Sequence, residues 1–396
     1  MALLQISEPD DISCTAQRPR RLGIGIDLGT THSLVAAVRN GTPQCLPDAQ
    51  GQVILPSAVH YPADGQALIG HAALQQQVAD PANTVVSVKR LMGRSVHDIE
   101  STQGQWLSYA LTAPDAQQGM VSVNTRAGSK SPVEISAHIL AALKQRAVDA
   151  FQAEVDGAVI TVPAYFDDAQ RQATKDAAQL AGLPVLRLIN EPTAAAVAYG
   201  LDKASEGCYA VFDLGGGTFD ISILRMEKGV FEVLATGGDS ALGGDDYDRA
   251  WADWLQQRAG LALRHAQERA AWQQAARACK HALSTQETVV FAAPADWAAW
   301  QQPVSRADFA NATAALTQRC MQVVRDTLRH AQLSANAVQG VIMVGGSTRM
   351  PAVQEAVAAF FQQPLLNDLN PDEVVALGAA IQANQLVGNR DAHDVL

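Results

Sequence analysis

The segment Asp213-Leu-Gly-Gly-Gly-Thr-Phe-Asp220 constrains the fold of this 396-residue chain more than any other stretch. Three consecutive glycines remove every Cβ from a turn and permit positive φ angles, so that backbone N–H groups can approach a bound anion such as a phosphate. Thr218 adds a hydroxyl, and the two flanking aspartates provide the oxygen ligands that a hydrated Mg²⁺ beside phosphates prefers. The segment therefore predicts a phosphate-binding turn, although a tight glycine turn in an ordinary hairpin stays open as an alternative.

The residues after this turn decide which kind of phosphate site is expected. Phe219, Ile221 and Ile223 alternate with polar residues, which is the period of two that is typical of a β-strand. A Rossmann or Walker loop would instead lead into a helix. The sequence therefore predicts a β-hairpin whose turn surrounds phosphate.

A second copy of this pattern lies near the start of the chain. The strand-like run Leu22–Ile26 leads into Asp27-Leu-Gly-Thr-Thr31, and a further apolar run follows over Leu34–Val38. Again a strand ends in Asp-Leu-Gly, turns through hydroxyl residues and continues as a strand. Two such hairpins, far apart in sequence, predict a duplicated domain that holds one polyphosphate from both sides.

Five segments, in this order, resemble the ATPase domain of the DnaK-type heat-shock chaperones. They are Gly25-Ile-Asp-Leu-Gly-Thr-Thr31, Ile160-Thr-Val-Pro-Ala-Tyr-Phe166, Asn190-Glu-Pro-Thr-Ala-Ala-Ala196, the Asp213–Asp220 turn and Gly345-Gly-Ser-Thr-Arg349. The resemblance runs from about residue 22 to about residue 389. The opening Met1–Pro9 and the run Val88–Arg94 are most similar to the HscA branch, which serves iron–sulfur cluster assembly.

The resemblance implies an α/β chain with the actin-like ATPase fold, two lobes each of two subdomains around a central nucleotide cleft. The implied division is a tail over 1–21, lobe I over 22–205 with an inserted subdomain of about 43–130, lobe II over 206–389 with an inserted helical subdomain of about 246–330, and the start of an interdomain linker over 390–396. The peptide-binding domain that follows the linker in the family is expected to be absent from this chain.

The resemblance also implies a slow ATPase that is regulated by a co-chaperone and a client, with ATP or ADP and Mg²⁺ in the cleft. Lys89 matches the lysine that reaches toward the γ-phosphate and the attacking water, where an ammonium offsets charge on the phosphoryl oxygens. The implied catalytic residues are Asp27, Lys89, Glu191, Thr218 and Asp220, and the implied metal-binding residues, acting mostly through water, are Asp27, Asp213, Asp220 and Glu191.

The implied nucleotide contacts come from six separate parts of the chain. They are Gly29, Thr30, Thr31, Gly215, Gly216, Gly217, Thr218, Gly243, Gly244, Lys280, His281, Ser284, Gly345, Gly346, Ser347, Arg349 and Asp372. Two positions depart from the family: Arg277 stands where general chaperones have Glu, and His281 where they have an Arg that stacks on the base. His32, beside the first turn, is interpreted as a neighbour of the nucleotide rather than a catalytic base.

Three further residues match sites of communication in the family. Pro163 and Arg171 match a relay from the nucleotide to the linker, and Arg187 matches an arginine that receives a J-domain co-chaperone. The partners implied are therefore a J-domain protein and, through the missing domain, an iron–sulfur scaffold protein as client.

Composition agrees with a cytoplasmic ATPase. The net charge of −11 argues against nucleic acid or an anionic membrane as a partner. The N-terminus carries no cleavable signal pattern. The five cysteines, Cys14, Cys45, Cys208, Cys279 and Cys320, show no metal-ligand spacing and are interpreted as ordinary reduced thiols.

Local patterns predict several elements around these motifs. They are a helix from Val133 to Phe151, a strand over 158–162, a helix capped by Asp167 or Asp168, a buried strand over Leu186–Asn190, a helix from Glu191, a helix capped by Asp245 or Asp246, and a helical region that continues to about residue 330. Trp251, Trp254 and Trp272 in that region are predicted to be core residues.

Three alternatives remain open from the residues alone. A general DnaK-type folding chaperone would share every motif outside the HscA-like runs. A sugar or acetate kinase would share the two hairpins, but it would need a carboxylate base for its acceptor, and no candidate remains beyond those already assigned. An actin-like filament protein would polymerise when ATP is added.

Overall fold

The protein is described from a computed structural model that covers residues 21–95, 99, 109–112, 120–201, 206–263, 266–294 and 300–389. The predicted tail apart from Arg21, the Met1–Pro9 run, Cys14 and the predicted linker start at 390–396 lie outside the described residues. Within the described ranges, no helix combines the length and the apolar character that crossing a membrane requires.

The strands of the first half are β1 (Gly23–Leu28), β2 (His32–Arg39), β3 (Thr42–Cys45), β4 (Leu55–Pro56), β5 (Ala58–His60), β6 (Leu68–Ile69), β7 (Thr84–Val86), β8 (Ala110–Thr112), β9 (Ser122–Thr125), β10 (Gly128–Lys130), β11 (Gly157–Val162) and β12 (Val185–Asn190). Those of the second half are β13 (Gly207–Leu214), β14 (Phe219–Glu227), β15 (Val230–Asp239), β16 (Thr288–Ala292), β17 (Gln301–Ser305), β18 (Val338–Val344) and β19 (Leu365–Leu366).

The α-helices are α1 (His71–Leu74), α2 (Pro132–Phe151), α3 (Asp168–Leu180), α4 (Glu191–Ala198), α5 (Gly244–Ala259), α6 (Ala266–Thr285), α7 (Arg306–His330), α8 (Pro351–Phe361) and α9 (Val374–Leu386). Short 3₁₀ turns cover Pro81–Asn83, Val88–Leu91, Ala335–Ala337 and Gly346–Arg349.

The two halves of the chain repeat one sheet topology. The first sheet has the order β12-β11-β1-β2-β3, with β4 also paired to β2, and the second has the order β19-β18-β13-β14-β15. In each, a central antiparallel hairpin (β1–β2 or β13–β14) carries a third antiparallel strand on one side and two parallel strands on the other. This arrangement confirms both predicted hairpins and the predicted duplication.

The last helix of the second half joins the two sheets. Helix α9 packs against β1 and α4 of the first half. A Cβ on Gly378 would lie 1.7 Å from the carbonyl oxygen of Ala194, and one on Gly25 would lie 2.1 Å from the backbone nitrogen of Ala380. Both positions therefore require glycine, because the backbones approach more closely than any side chain allows.

Several local predictions are confirmed with their boundaries refined. Helix α2 begins after a capping box in which the Ser131 Oγ accepts from the Glu134 N–H and the Ser131 N–H donates to the Glu134 carboxylate. Asp167, rather than Asp168, caps α3, with its carboxylate accepting from the Gln170 N–H at 2.9 Å. The side chains of Trp251 and Trp272 are fully buried, as predicted.

Three local predictions are wrong in part. The Leu186–Asn190 segment is a strand but not a buried one, because β12 forms the edge of its sheet and leaves Leu186 38% exposed. Gly243, not Asp245 or Asp246, is the N-cap of α5, although the Asp246 carboxylate does accept from the Gly243 N–H. The region predicted as helical up to residue 330 also contains an antiparallel hairpin, β16–β17.

Candidate nucleotide site

Both hairpin turns face one cleft between the two sheets. The predicted site residues that line it are Asp27, Gly29, Thr30, Thr31, Lys89, Pro163, Glu191, Asp213, Gly215, Gly216, Gly217, Thr218, Asp220, Gly345, Gly346 and Asp372. Each half thus contributes one turn, and the 3₁₀ turn Val88–Leu91 adds Lys89 from the side. His32 lies at the rim of the same cleft with an exposed side chain.

Four carboxylates concentrate negative charge at the closed end of this cleft. Burial, and then the nearby Glu191 carboxylate, raises the pKa of Asp27 to about 6 and that of Asp220 to about 7. Burial, and then the carboxylates of Glu191, Asp220 and Asp27, raise the pKa of Asp213 well above its ordinary value. Because burial and neighbouring carboxylates both disfavour the charged forms of these aspartates, a bound cation would stabilise the site.

Lys89 supplies a positive charge that compensates part of this carboxylate charge. Its side chain is 7% exposed, and its ammonium forms an ion pair with the Glu191 carboxylate. Burial alone would lower the pKa of Lys89, but the carboxylates of Glu191 and Asp27 outweigh that effect and the net shift is upward. The lysine therefore stays charged and is held between two carboxylates. On the other side of the cluster, the Thr161 hydroxyl donates to Asp27 Oδ1 at 2.9 Å.

Two of the three consecutive glycines, Gly215 and Gly216, are required neither for backbone conformation nor for packing among the described residues, whereas a Cβ on Gly217 would lie 3.1 Å from Arg90 Nη2. None of the three has a positive φ, so the turn does not use the left-handed conformations that glycine permits. A Cβ on Gly215 or Gly216 would come no closer than 3.7 Å to any protein atom. The space above this turn is therefore left open on the cleft side, as a bound ligand lying against the backbone would require.

Glycines near this turn are required instead because other backbone segments pack closely against them. A Cβ on Gly243 would lie 2.5 Å from Gly217 Cα, and Gly345 combines a φ of 83° with a Cβ position 2.3 Å from the Leu214 carbonyl oxygen. The N–H groups of Gly244 and Asp245 donate to carbonyl groups of the glycine turn. The start of α5 thereby fixes the turn from behind.

The opposite end of the cleft is built from ion pairs between helices. Arg277 Nε lies 2.6 Å from Asp248 Oδ2, its Nη2 pairs with Asp245, and Lys280 Nζ lies 2.7 Å from Asp248 Oδ1. His281, on the same helix, is exposed. Ser284 lies one turn further and bonds its own helix through the Lys280 carbonyl.

A second cluster faces this helix from the Gly345–Arg349 segment. Arg349 forms an ion pair with Asp372 and also bonds the Asn370 side chain. The Ser347 hydroxyl donates to the Gly215 carbonyl at 2.9 Å, so this segment is tied to the glycine turn. Besides burial, the Arg349 guanidinium is one of the charges that lower the pKa of His281, so α6 and the segment after β18 approach each other here.

Of the residues predicted for communication, Pro163 lines the cleft, whereas Arg171 and Arg187 are not among its lining residues. Arg171 donates to the Phe166 carbonyl at 3.0 Å and to the Asn190 side chain at 2.8 Å, which links the loop after β11 to the residue before Glu191. Arg187 is exposed on edge strand β12 and lines a groove that Arg171 also lines.

Comparison with known proteins agrees with this architecture. The family model described as "Hsp70 protein" matches residues 23–396. A "Chaperone protein HscA homolog" of Verminephrobacter eiseniae (strain EF01-2) is 64% identical over 98% of this chain and 62% of that protein. Proteins with the same description are 61% identical in Acidovorax sp. (strain JS42), over 100% of this chain and 63% of that protein, and 55% identical in Cupriavidus metallidurans (strain ATCC 43123 / DSM 2839 / NBRC 102507 / CH34), over 98% of this chain and 62% of that protein.

The chain belongs to the Hsp70 family.

Membership of the Hsp70 family confirms the predicted fold class, the actin-like ATPase fold with two lobes around a central cleft. The chain spans about three fifths of the length of the HscA homologues that it matches. The repeated sheets and the cleft between them are therefore the Hsp70 ATPase domain.

Sequence reasoning missed three residues in or beside the cleft of this Hsp70 chain. Thr161 donates to Asp27, Tyr165 lines the cleft together with Glu191, and Arg90 contacts the glycine turn from the first half of the chain. Thr161 and Tyr165 belong to the Ile160–Phe166 motif, and Arg90 directly follows Lys89, so the signal was their position inside recognised segments. The chemistry of each becomes visible only when the two halves are brought together.

The donor set fits a hydrated magnesium ion better than a directly ligated one. Within the ranges that the structure covers, no three His, Cys, Asp or Glu side chains converge closely enough to hold a metal ion themselves. The cleft nevertheless places three aspartates and Glu191 around one space with a single lysine between them. Hard oxygen ligands that act partly through water suit Mg²⁺, which dehydrates reluctantly.

Proposed function

We propose that this chain is the ATP-hydrolysing nucleotide-binding domain of a molecular chaperone that assists iron–sulfur cluster assembly. One observation carries the hydrolytic part: Gly215 and Gly216 leave the turn free of side chains without any internal need for it, beside four half-buried carboxylates. That combination suits a polyphosphate lying on the turn with a divalent cation on its other side.

The proposed reaction is in-line attack of water on the γ-phosphorus of ATP, with ADP as the leaving group. Bound magnesium would neutralise charge on the β- and γ-phosphates. Asp27 and Asp220 would hold the water shell of the metal, with Asp213 nearby. Thr30, Thr31 and Thr218 donate hydroxyl hydrogen bonds to the phosphates.

Lys89 and Glu191 act as a pair in this proposal. The ammonium stabilises negative charge on the transferring phosphoryl oxygens, and the carboxylate orients water beside it. Their ion pair holds both groups in place before the nucleotide binds. Preorganisation of this kind lowers the barrier because no reorganisation is needed at the moment of reaction.

The adenosine would lie at the other end of the cleft, between α6 and the Gly345–Arg349 segment. Arg349 offers a planar guanidinium that can stack on a base, and Gly345 and Gly346 let the nucleoside approach the backbone. Lys280, Ser284 and Asp372 complete the pocket. His281 takes the place opposite Arg349.

The chaperone role rests on the similarity to HscA homologues at 55–64% identity. We propose a J-domain co-chaperone that contacts Arg187, an iron–sulfur scaffold protein as client of the whole protein, regulation through Pro163 and Arg171, and a cytoplasmic location. We further propose lobe boundaries near residue 205, with inserted subdomains over about 43–130 and 246–330.

Single-turnover hydrolysis of γ-labelled ATP tests the enzymatic part. The chain should release labelled phosphate slowly with Mg²⁺ and lose this activity with EDTA. Turnover that rises on addition of a sugar or acetate would indicate a kinase, and ATP-dependent polymerisation would indicate a filament protein. In the longer protein, a J-domain protein together with an iron–sulfur scaffold should accelerate hydrolysis, whereas equal stimulation by unrelated unfolded clients would favour a general chaperone.

A further inference from the structure

A second cavity adjoins the phosphate end of the cleft and differs from it in charge. It has a volume of about 240 Å³ and shares Thr30, Lys89 and Thr218 with the nucleotide cleft. Its outer wall carries Arg90 and Arg94. We call the space lined by these five residues the basic cavity. Among its described lining residues no side chain is acidic, whereas the nucleotide cleft contains four buried or half-buried carboxylates.

The two arginines of the basic cavity have no carboxylate partner among the residues that the structure describes. Arg90 Nη2 donates only a long hydrogen bond, 3.4 Å, to the Gly217 carbonyl, and its Nε is buried without a partner there. A buried donor without a partner costs free energy, so its retention calls for an acceptor beyond the residues that the structure describes.

Lys89 does not already fill the need for positive charge on this side of the phosphates. Its ammonium is paired with Glu191, so part of its charge is compensated by the carboxylate cluster. Arg90 and Arg94 line the basic cavity but not the nucleotide cleft. The positive charge that no described carboxylate pairs with therefore belongs to the arginines, although the lysine directly precedes one of them in sequence.

The backbone that carries the two arginines is held rigidly. Ser87 adopts a left-handed conformation with φ of 57°, and Gly93 does so with φ of 64°. A Cβ on Gly93 would lie 2.7 Å from the backbone nitrogen of Gln170, so this segment packs directly on the first turn of α3. Arg90 and Arg94 thus project from a fixed turn and not from a flexible loop.

We infer that the basic cavity is a second oxyanion site, which takes up the inorganic phosphate formed by hydrolysis before it leaves the protein. The inference rests on the proposed ATPase function. A single water needs roughly 10–15 Å³ of such space, so the cavity holds a tetrahedral anion with several waters. Guanidinium groups match phosphate oxygens in pairs, and the hydroxyls of Thr30 and Thr218 connect the two sites.

The first test fills the γ-phosphate position and then asks whether phosphate still binds. The chain is loaded with the non-hydrolysable analogue adenylyl-imidodiphosphate and Mg²⁺, and inorganic phosphate is titrated by calorimetry. Wild-type protein should bind one phosphate. Arg94→Gln and Arg90→Gln should each weaken binding roughly tenfold or more, since each removes a charge-assisted hydrogen bond. Arg94→Lys should retain part of the affinity.

The matched control is Arg329→Gln, which removes an exposed arginine on α7 far from the cleft and should bind phosphate as wild type does. Analogue binding without any phosphate binding, or equal phosphate binding by all variants, would overturn the second oxyanion site and leave the ATPase proposal standing. Failure of the analogue itself to bind would overturn both. Circular dichroism at the assay temperature confirms that each variant is folded.

The second test distinguishes phosphate produced in the cleft from phosphate that enters from solution. Cleavage is followed by quench-flow and free phosphate by a fluorescent phosphate-binding sensor. If the product pauses in the basic cavity, wild-type protein shows a lag between cleavage and release, and Arg94→Gln shortens that lag at least threefold. An unchanged lag in Arg94→Gln would show that product phosphate does not use this site.

Discussion

The two ends of the cleft differ in how far their charged groups meet solvent. At the phosphate end, Lys89 is buried and pairs with Glu191 across more than 100 residues of sequence, beside a glycine turn that α5 fixes from behind. At the base end, the Lys280–Asp248 pair is equally buried, but the guanidinium groups of Arg277 and Arg349 are half-exposed and pair with aspartates. The rate of ATP cleavage is expected to depend on the phosphate end, and the lifetime of bound nucleotide on the base end.

This contrast follows from solvent screening. An ion pair in water contributes little free energy, because both partners are well solvated when apart and their attraction is screened. A buried pair is different, since removal of one partner leaves the other charge without compensation in a poorly solvated place. Substitutions at the phosphate end should therefore have large effects, and substitutions of exposed residues at the base end small ones.

The largest effect is expected for Lys89→Ala. Loss of a preorganised electrostatic group typically slows catalysis about 10²-fold or more, so single-turnover cleavage should fall by that factor while nucleotide still binds the backbone turns. Lys175→Ala, which removes an exposed lysine on α3, is the control. Glu191→Gln, which keeps the size of the side chain, should slow cleavage by a similar factor. A near wild-type chemical step in Lys89→Ala would remove this residue from the mechanism.

The next effect concerns the packing behind the glycine turn. Gly243→Ala places a Cβ 2.5 Å from Gly217 Cα, so either the turn or the start of α5 must move. We expect a loss of about 1–3 kcal/mol in the free energy of unfolding and weaker ATP binding. Gly340→Ala is the matched control, because its Cβ would meet Tyr209 at an ordinary 3.6 Å. Denaturant titration and ATP titration of both variants give the comparison, and equal behaviour would show that the turn is not held by α5.

A smaller effect is expected at the base end. Partial burial and the Lys280 ammonium lower the pKa of His281, so the imidazole is neutral at pH 7.5 and offers no permanent charge to a stacked base. ADP should accordingly leave quickly without an exchange factor. His281→Arg restores a cation, and an exposed cation–π contact of about 0.5–1 kcal/mol corresponds to roughly two- to fivefold slower ADP release. Stopped-flow release that is already slow in the wild type would contradict this description.

The smallest effect is expected at His138 and concerns the stability of the whole fold rather than events in the cleft. Burial, and then the Lys130 ammonium, lowers the pKa of His138, which packs edge-on against Tyr61 with Glu134 nearby. The unfolded chain binds this proton first, so the contribution of neutral His138 is present above about pH 6.5 and is lost as the pH falls toward the lowered value. His138→Gln should lose less stability between pH 7 and pH 5.5 than the wild type. A parallel pH dependence in the two proteins would assign the acid sensitivity elsewhere.

The sequence by itself determined the features that depend on neighbours along the chain. The two Asp-Leu-Gly hairpins, helix α2 and the capping of α3 follow from local periodicity and side chains three or four residues apart. The family was also evident from the sequence, since its motifs are short contiguous runs whose order survives without any structure.

Only the tertiary structure decided which groups compensate one another. Lys89 and Glu191 are 102 residues apart, and nothing local indicates that they form an ion pair. Gly25 was recognised as part of a phosphate motif, yet its missing Cβ serves the packing of α9. The sequence placed Arg277 in the pocket for the nucleotide base, but in the structure it forms ion pairs with two aspartates of α5.

Strand β12 was expected to be buried because its sequence is apolar, and its place at the sheet edge exposes it. Burial, pairing and close backbone approach are properties of surfaces that meet in space. A sequence pattern indicates which interactions a residue can make, but the folded structure determines which partners are close enough to make them.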